Sequence, residues 1–215
     1  DLAFFCTPAS SNEQLLKQCA QLGISSAFIA SAGYRESGEA GEMAEASLLE
    51  LANSLGMLIA GPNGQGVVST PASLCLQIVA PYPPSGGISV ASQSGNFVSS
   101  FLNYSQQSGV GIARAISAGN ATQVSVENFL HYFAGDDETK VALTYIENVG
   151  NGESLLQAMK HITAVKPLVV LKGGATAAGS KAAQSHTGAM ASNDRVFLGA
   201  TSSAGAIKVS SVEEE

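Results

Sequence analysis

Short apolar runs alternate along this chain with longer segments in which apolar positions recur at helical spacing, the pattern of strands connected by helices. Leu2-Ala3-Phe4-Phe5-Cys6 predicts a first strand. Leu15, Leu16, Cys19, Ala20 and Leu22 then mark a helix that Gly23 stops. Ile24–Ala30 predicts a second strand, and Ser31-Ala32-Gly33-Tyr34 a loop at its carboxyl end. A helix over Glu39–Leu55 carries Met43, Leu48, Leu51 and Leu55 on one face, and Met57-Leu58-Ile59 is a third strand, closed by Gly61-Pro62-Asn63-Gly64-Gln65-Gly66. Pro71, Pro81, Pro83, Pro84, Gly86 and Gly87 punctuate the next stretch. Five further strands follow, at 88–91, 112–117, 141–146, 168–171 and 207–209, separated by helices over 96–107, 124–133, 154–164 and 193–204.

Strands that alternate with helices pair in parallel through right-handed crossovers. The expected fold class is therefore α/β: two three-layer blocks with parallel sheets, the first Rossmann-like and partial, the second flavodoxin-like. Residues 1–70 form the first unit, 71–87 a linker and 88–215 the second. The chain opens on a strand rather than a Met and closes on Ser210-Ser211-Val212-Glu213, a capping box that starts a helix. Both ends read as a piece of a longer polypeptide.

Composition narrows the function. The 215 residues are 45% hydrophobic and 13% charged, with a net charge of −7. The average for soluble domains is about 25% charged. An acidic balance argues against a nucleic-acid surface, which needs clustered positive charge. No apolar run approaches the roughly 20 residues of a membrane span. Cys6, Cys19 and Cys75 form no C-x-x-C pair, which points to a reducing cytoplasm, with Cys6 and Cys19 as small buried apolar side chains.

In a doubly wound sheet, ligands bind outside the carboxyl ends of the strands. The polar residues predicted at those ends are Ser92-Gln93-Ser94-Gly95, Gly119-Asn120, Glu147 and the loop from Lys172 to Gly188. Ser92, Ser94 and Gly95 precede a helix, where backbone N–H groups and hydroxyls suit a phosphate or simply provide an N-cap. Three histidines differ in setting. His131 falls within a helix and His161 near a helix end, whereas His186 lies in a Gly/Ser/Thr-rich loop. A neutral imidazole there can take up a phosphoryl group if its second nitrogen is held by an acceptor, and Glu147 is the best-placed carboxylate; His186 can equally be a loop residue bonding carbonyls. Gly173, Gly174, Gly179 and Gly188 suit a loop that swings. A nicotinamide dehydrogenase would need a glycine fingerprint after the first strand, and none is present there.

Gly61-Pro62-Asn63, Ser92-Gln93-Ser94-Gly95, Tyr145-Ile146-Glu147 and Lys172-Gly173-Gly174 followed by Ser185-His186-Thr187-Gly188-Ala189 occur in that order. Together they resemble the nucleoside-diphosphate-forming acyl-CoA synthetases, relatives of the succinyl-CoA synthetase α subunit. The resemblance implies the later half of a CoA-binding domain followed by a phosphohistidine domain. It assigns His186 as the phosphorylated residue, Glu147 as the acid that orients it, and Ser92, Ser94 and Gly95 as the phosphate turn. Asn63 matches the turn near the thioester of CoA, and Gly61 and Gly33 are expected with it as substrate- or CoA-binding residues. It also implies CoA, acyl-CoA and phosphate as ligands, Mg-ATP or Mg-ADP on an ATP-grasp partner domain or subunit, and an oligomer. The alternative is a non-catalytic CoA-binding regulatory module. Gly64-Gln65 depart from the Cys and Leu or Pro that often follow this turn in the family.

Overall fold

The computed structural model describes residues 1–173 and 194–211. Strands β1 (Leu2–Phe5), β2 (Ser26–Ile29) and β3 (Leu58–Ala60) form a parallel sheet in that order, linked by α1 (Ala9–Gln21) and α2 (Glu39–Ser54). Phe5, Leu16, Ile29, Leu48 and Ile59 form the core between this sheet and its helices. The opposite face carries Phe4 and Phe28, whose rings stack at 5.4 Å. Phe28 is 1% exposed and packs with Ile116, Val126 and Leu130 of the second unit. Full burial of one such ring contributes about 2–3 kcal/mol, so the second unit supplies the third layer of the first sheet.

The second sheet has seven strands. Five of them, β6 (Ser85–Ser92), β7 (Ile112–Ser117), β8 (Val141–Ile146), β9 (Leu168–Lys172) and β10 (Ile207–Val209), are parallel in the order β10-β9-β8-β6-β7. Numbered within the unit this is 2-1-3-4-5, the flavodoxin-like order, whose switch point lies between β6 and β8. Helix α3 (Gly95–Ser108) covers one face through Phe97, Val98, Phe101 and Leu102. Helices α4 (Val126–Gly135), α5 (Gly152–Thr163) and α6 (Asp194–Ser203) cover the other.

The remaining two strands differ from the sequence expectation. β4 (Gly66–Ser69) and β5 (Leu74–Gln77) form a hairpin, and β4 pairs antiparallel with β7. The segment read as a linker from residue 71 thus holds β5 and the start of β6. Four-residue strands among prolines carry too little alternation to register, and the strand that anchors the hairpin, β7, lies over 40 residues from β4. Arg114 of β7 fixes the hairpin by donating to Ser69 Oγ at 2.7 Å while pairing with Asp136 at 3.1 Å.

Side-chain placement brings two more corrections. On α2 the expected core residue Met43 is 70% exposed, and the buried positions are Gly41, Glu45, Leu48 and Ala52. Cys6 and Cys75 are exposed and Cys19 is half-buried, all three free. His186, the rest of its loop from Gly174, and the predicted closing helix at 212–215 lie outside the described residues. Among the described residues, no helix is long and apolar enough to cross a membrane.

Candidate functional site

A cleft of about 600 Å³ opens where the carboxyl ends of both sheets meet. The first unit contributes Arg35, Glu36, Asn63, Gly64 and Gln65; the second contributes Gln93, Ser94, Gly95, Asn96, Asn120 and Glu147. The cleft therefore gathers Ser94, Gly95 and Glu147 at the β6/β8 switch point and sets Asn63 across from them.

Ser94 is the N-cap of α3: its Oγ accepts from Phe97 N at 3.4 Å. That serves one of the four unpaired donors at a helix start. The N–H groups of Gly95 and Asn96 meet no partner among the described residues, and they face the side of the helix where the dipole attracts an anion. Ser92 is placed otherwise. It is fully buried, donates from Oγ to Ser94 O at 2.9 Å and accepts from Ser94 N at 3.0 Å. It shapes the turn from behind and does not line the cleft. Gln65 reaches over from the first unit, donating from Nε2 to Asn96 Oδ1 at 2.9 Å and accepting from Ser99 Oγ.

Around Glu147 the packing is tight. Tyr145 stacks on Phe97 at 4.9 Å, and burial, with the Glu147 carboxylate adding to it, pushes its phenol above the usual tyrosine range. Gly173 follows β9, and a Cβ there would lie 2.5 Å from Tyr145 Oη and 3.3 Å from Glu147 Cγ, so any larger residue would have to displace the Tyr145 ring. Its neighbour Lys172 is buried, with Nζ 5.8 Å from the centre of the Phe197 ring, and burial lowers its amine below the ordinary lysine value.

The two units are joined through Asn120. Its Nδ2 donates to Glu36 Oε2 and Glu45 Oε2, each at 2.7 Å, its backbone N–H donates to Pro62 O at 2.8 Å, and its carbonyl accepts from Arg35. Asn63 Nδ2 donates to Asn120 Oδ1 at 3.4 Å, and Asn63 itself sits at φ +61°, a left-handed conformation that asparagine tolerates. Gly61 lies behind this turn at φ +93°, where a Cβ would be 2.3 Å from Ile29 O. Gly33 donates to Glu36 Oε1 at 2.6 Å. Both glycines build the rim rather than line the cleft.

Sequence reading named the rim position of Asn120 but no role for it, and it missed Arg35, Glu36 and Glu45. The available signal was Glu45 itself: a carboxylate four residues from Gly41 and three from Leu48 shares their helix face, and a charge there requires a partner. Burial pushes the Glu36 carboxyl up, yet the Asn120 amide and the N–H groups of Tyr34 and Gly33 outweigh it and hold it below its ordinary 4.5. A depressed carboxyl stabilises the fold fully above its unfolded value and loses that contribution as pH falls through the folded one. Acid titration of the wild type should therefore loosen this junction below about pH 4.5, with Glu36→Gln flattening that part of the stability curve. Identical acid limbs for the two proteins would contradict the assignment.

Residues 85–214 match the family described as the succinyl-CoA ligase like flavodoxin domain. The whole chain aligns at 36% identity with the ADP-forming acetate–CoA ligase I of Archaeoglobus fulgidus, covering 31% of that protein. It aligns at 33% with the α subunit of ADP-forming acetate–CoA ligase I from Pyrococcus furiosus, covering 46%. Among solved structures, the dinucleotide forming acetyl-coenzyme A synthetase 1 of Ca. Korarchaeum cryptofilum, in complex with phosphate and ADP, superposes with a TM-score of 0.93 at 30% identity. That superposition takes in 99% of this chain and 46% of the other. The chain thus spans 31% to 46% of the length of these relatives.

Proposed function

The chain belongs to the family of the succinyl-CoA ligase like flavodoxin domain, and from that premise we propose that it is the α-type portion of an ADP-forming acyl-CoA synthetase. The observation that carries the proposal is the switch-point cleft, whose lining includes Glu147 together with Gly95 and Asn96, both with open N–H groups among the described residues. An anion at the α3 start and an imidazole beside the carboxylate fit this arrangement.

The chemistry balances in three steps. A phosphate oxygen attacks the acyl-CoA carbonyl, the C–S bond breaks, and CoA leaves as its thiol. An imidazole nitrogen of His186 then attacks the phosphorus of the acyl phosphate, a P–N bond forms, and the carboxylate departs. Finally a nucleoside diphosphate takes the phosphoryl group on an ATP-grasp partner, restoring neutral histidine. Helix-start N–H groups stabilise charge on the transferring phosphoryl oxygens without any change in protonation. Glu147, bonded to the second imidazole nitrogen, would fix the tautomer and favour the phosphorylated state. Among the described residues that line the cleft, Arg35 is the one cation beside Glu36, Glu42 and Glu147, so anion binding there draws on backbone donors. Asn63 stands at the thioester end of CoA in this reading.

We draw the boundary between the CoA-binding and ligase-like units before Gly66, because β4 pairs with β7 of the second sheet. The reading carries with it CoA, a Mg-nucleotide on the partner, assembly with that partner into an oligomer, and a cytoplasmic setting where these substrates occur. It is tested by supplying the full-length protein and its partner with acetyl-CoA, phosphate and ADP. ATP should accumulate in step with free CoA. CoA binding with no ATP formed would instead favour a regulatory CoA-binding module.

A further inference from the structure

We propose that Gln93 is the positioning residue that holds Glu147 at the phosphoryl-transfer site, by locking the β8 loop onto the β6 turn; this rests on the reading of the site given above. Four hydrogen bonds converge on this one residue. Its backbone N–H donates to Tyr145 O at 3.2 Å. Its side-chain Oε1 accepts from both Glu147 N at 2.8 Å and Asn148 N at 2.9 Å, and Nε2 donates to Asn148 O at 2.9 Å. The amide thus meets the loop through both of its ends, two acceptor bonds at one and a donor bond at the other, and so closes the gap between the two strand ends at the switch point. The carboxylate is borne by the residue whose own N–H is clamped.

The arrangement has a chemical logic. Two successive N–H groups pointing into a cleft form an anion-binding concavity. On the β8 loop that concavity would compete for phosphate with the α3 start. Gln93 fills it with a neutral oxygen, while among the described residues the N–H groups of Gly95 and Asn96 stay open at the α3 start. A glutamate at this position could accept the same two bonds but could not donate to Asn148 O, and its charge would oppose the phosphoryl group. An asparagine is one methylene too short to span the same groups. Only glutamine meets all three side-chain contacts without charge.

The test compares wild type, Gln93→Met and Gln93→Asn in the full-length protein. Each is incubated with acetyl-CoA and radiolabelled phosphate, and the rate of histidine phosphorylation, CoA affinity, thermal midpoint and amide exchange are recorded. Loss of an outer partner that orients a functional ligand typically costs about 10–100-fold. Gln93→Met should show a loss of that size in phosphorylation rate, with CoA affinity unchanged and faster exchange at Glu147 and Asn148. Gln93→Asn should fall between. Phosphorylation at the wild-type rate in Gln93→Met would overturn the proposal, as would parallel losses of CoA binding and folding that mark a general structural role. Failure of the wild type itself to be labelled would count against the site reading instead.

Discussion

Replacing Asn120 by leucine should lower the thermal midpoint of this 215-residue chain by roughly 6–12 °C. The reason lies in what the side chain bonds. Leucine has similar volume but no donor, so Glu36 and the 5%-exposed Glu45 both lose the Nδ2 group they share, and Asn63 loses its acceptor. A hydrogen bond to a charged group contributes about 1.5–3 kcal/mol, toward the low end where the carboxylate keeps other donors, as Glu36 and Glu45 do here. Two carboxylates set the total near 3 kcal/mol, and each kcal/mol moves the midpoint of a chain this size by about 2–4 °C. Glu45 also pairs with Arg35 at 3.5 Å and accepts from Arg35 N and Thr122 Oγ1, so loss of one donor disturbs a network rather than a single bond. Calorimetry of Asn120→Leu beside Asn120→Asp checks this. The aspartate variant should be destabilised as well, because it brings a third carboxylate against two. Midpoints within 1 °C of wild type for both would show that the junction does not depend on Asn120.

The parallel core of this fold was legible in the residue pattern, and the reasons for the exceptions are specific. Runs such as Val141–Ile146 and Leu168–Lys172 are buried on both faces, so they read as strands without help from their partners. The β4–β5 hairpin did not, because strands that short are defined by pairing, β4 with β7 and β5 with β4, rather than by their own alternation. Helical period alone placed Met43 in the core and left Glu45 out. The true stripe is decided by Asn120, 75 residues further on, which no local window contains.

The site divided along similar lines. Position at a strand end located Ser94, Gly95, Asn63 and Glu147, because the switch-point rule depends only on topology. It could not separate a residue that faces the cleft from one that supports it, which is why Ser92 and the rim glycines Gly33 and Gly61 were grouped with the residues that line the cleft. Gln93 sat within the motif from the start, but its role depends on bonds to a loop 54 and 55 residues away.

The second large expected effect concerns His186. Its substitution by asparagine keeps a hydrogen-bonding side chain but removes the nitrogen that would carry phosphorus, so covalent labelling should be abolished while CoA binding and the thermal midpoint stay as in the wild type. No other histidine of the chain can substitute, since His131 and His161 lie on α4 and α5, their rings 5.0 Å from each other, and neither lines the cleft. The most direct measurement is to incubate the full-length protein with acetyl-CoA and radiolabelled phosphate, quench in base, digest, and locate the label by peptide mass. A single acid-labile phosphoryl group is expected on the peptide that contains His186, absent from His186→Asn. A label of undiminished intensity in the variant, or one carried by a different residue, would contradict it.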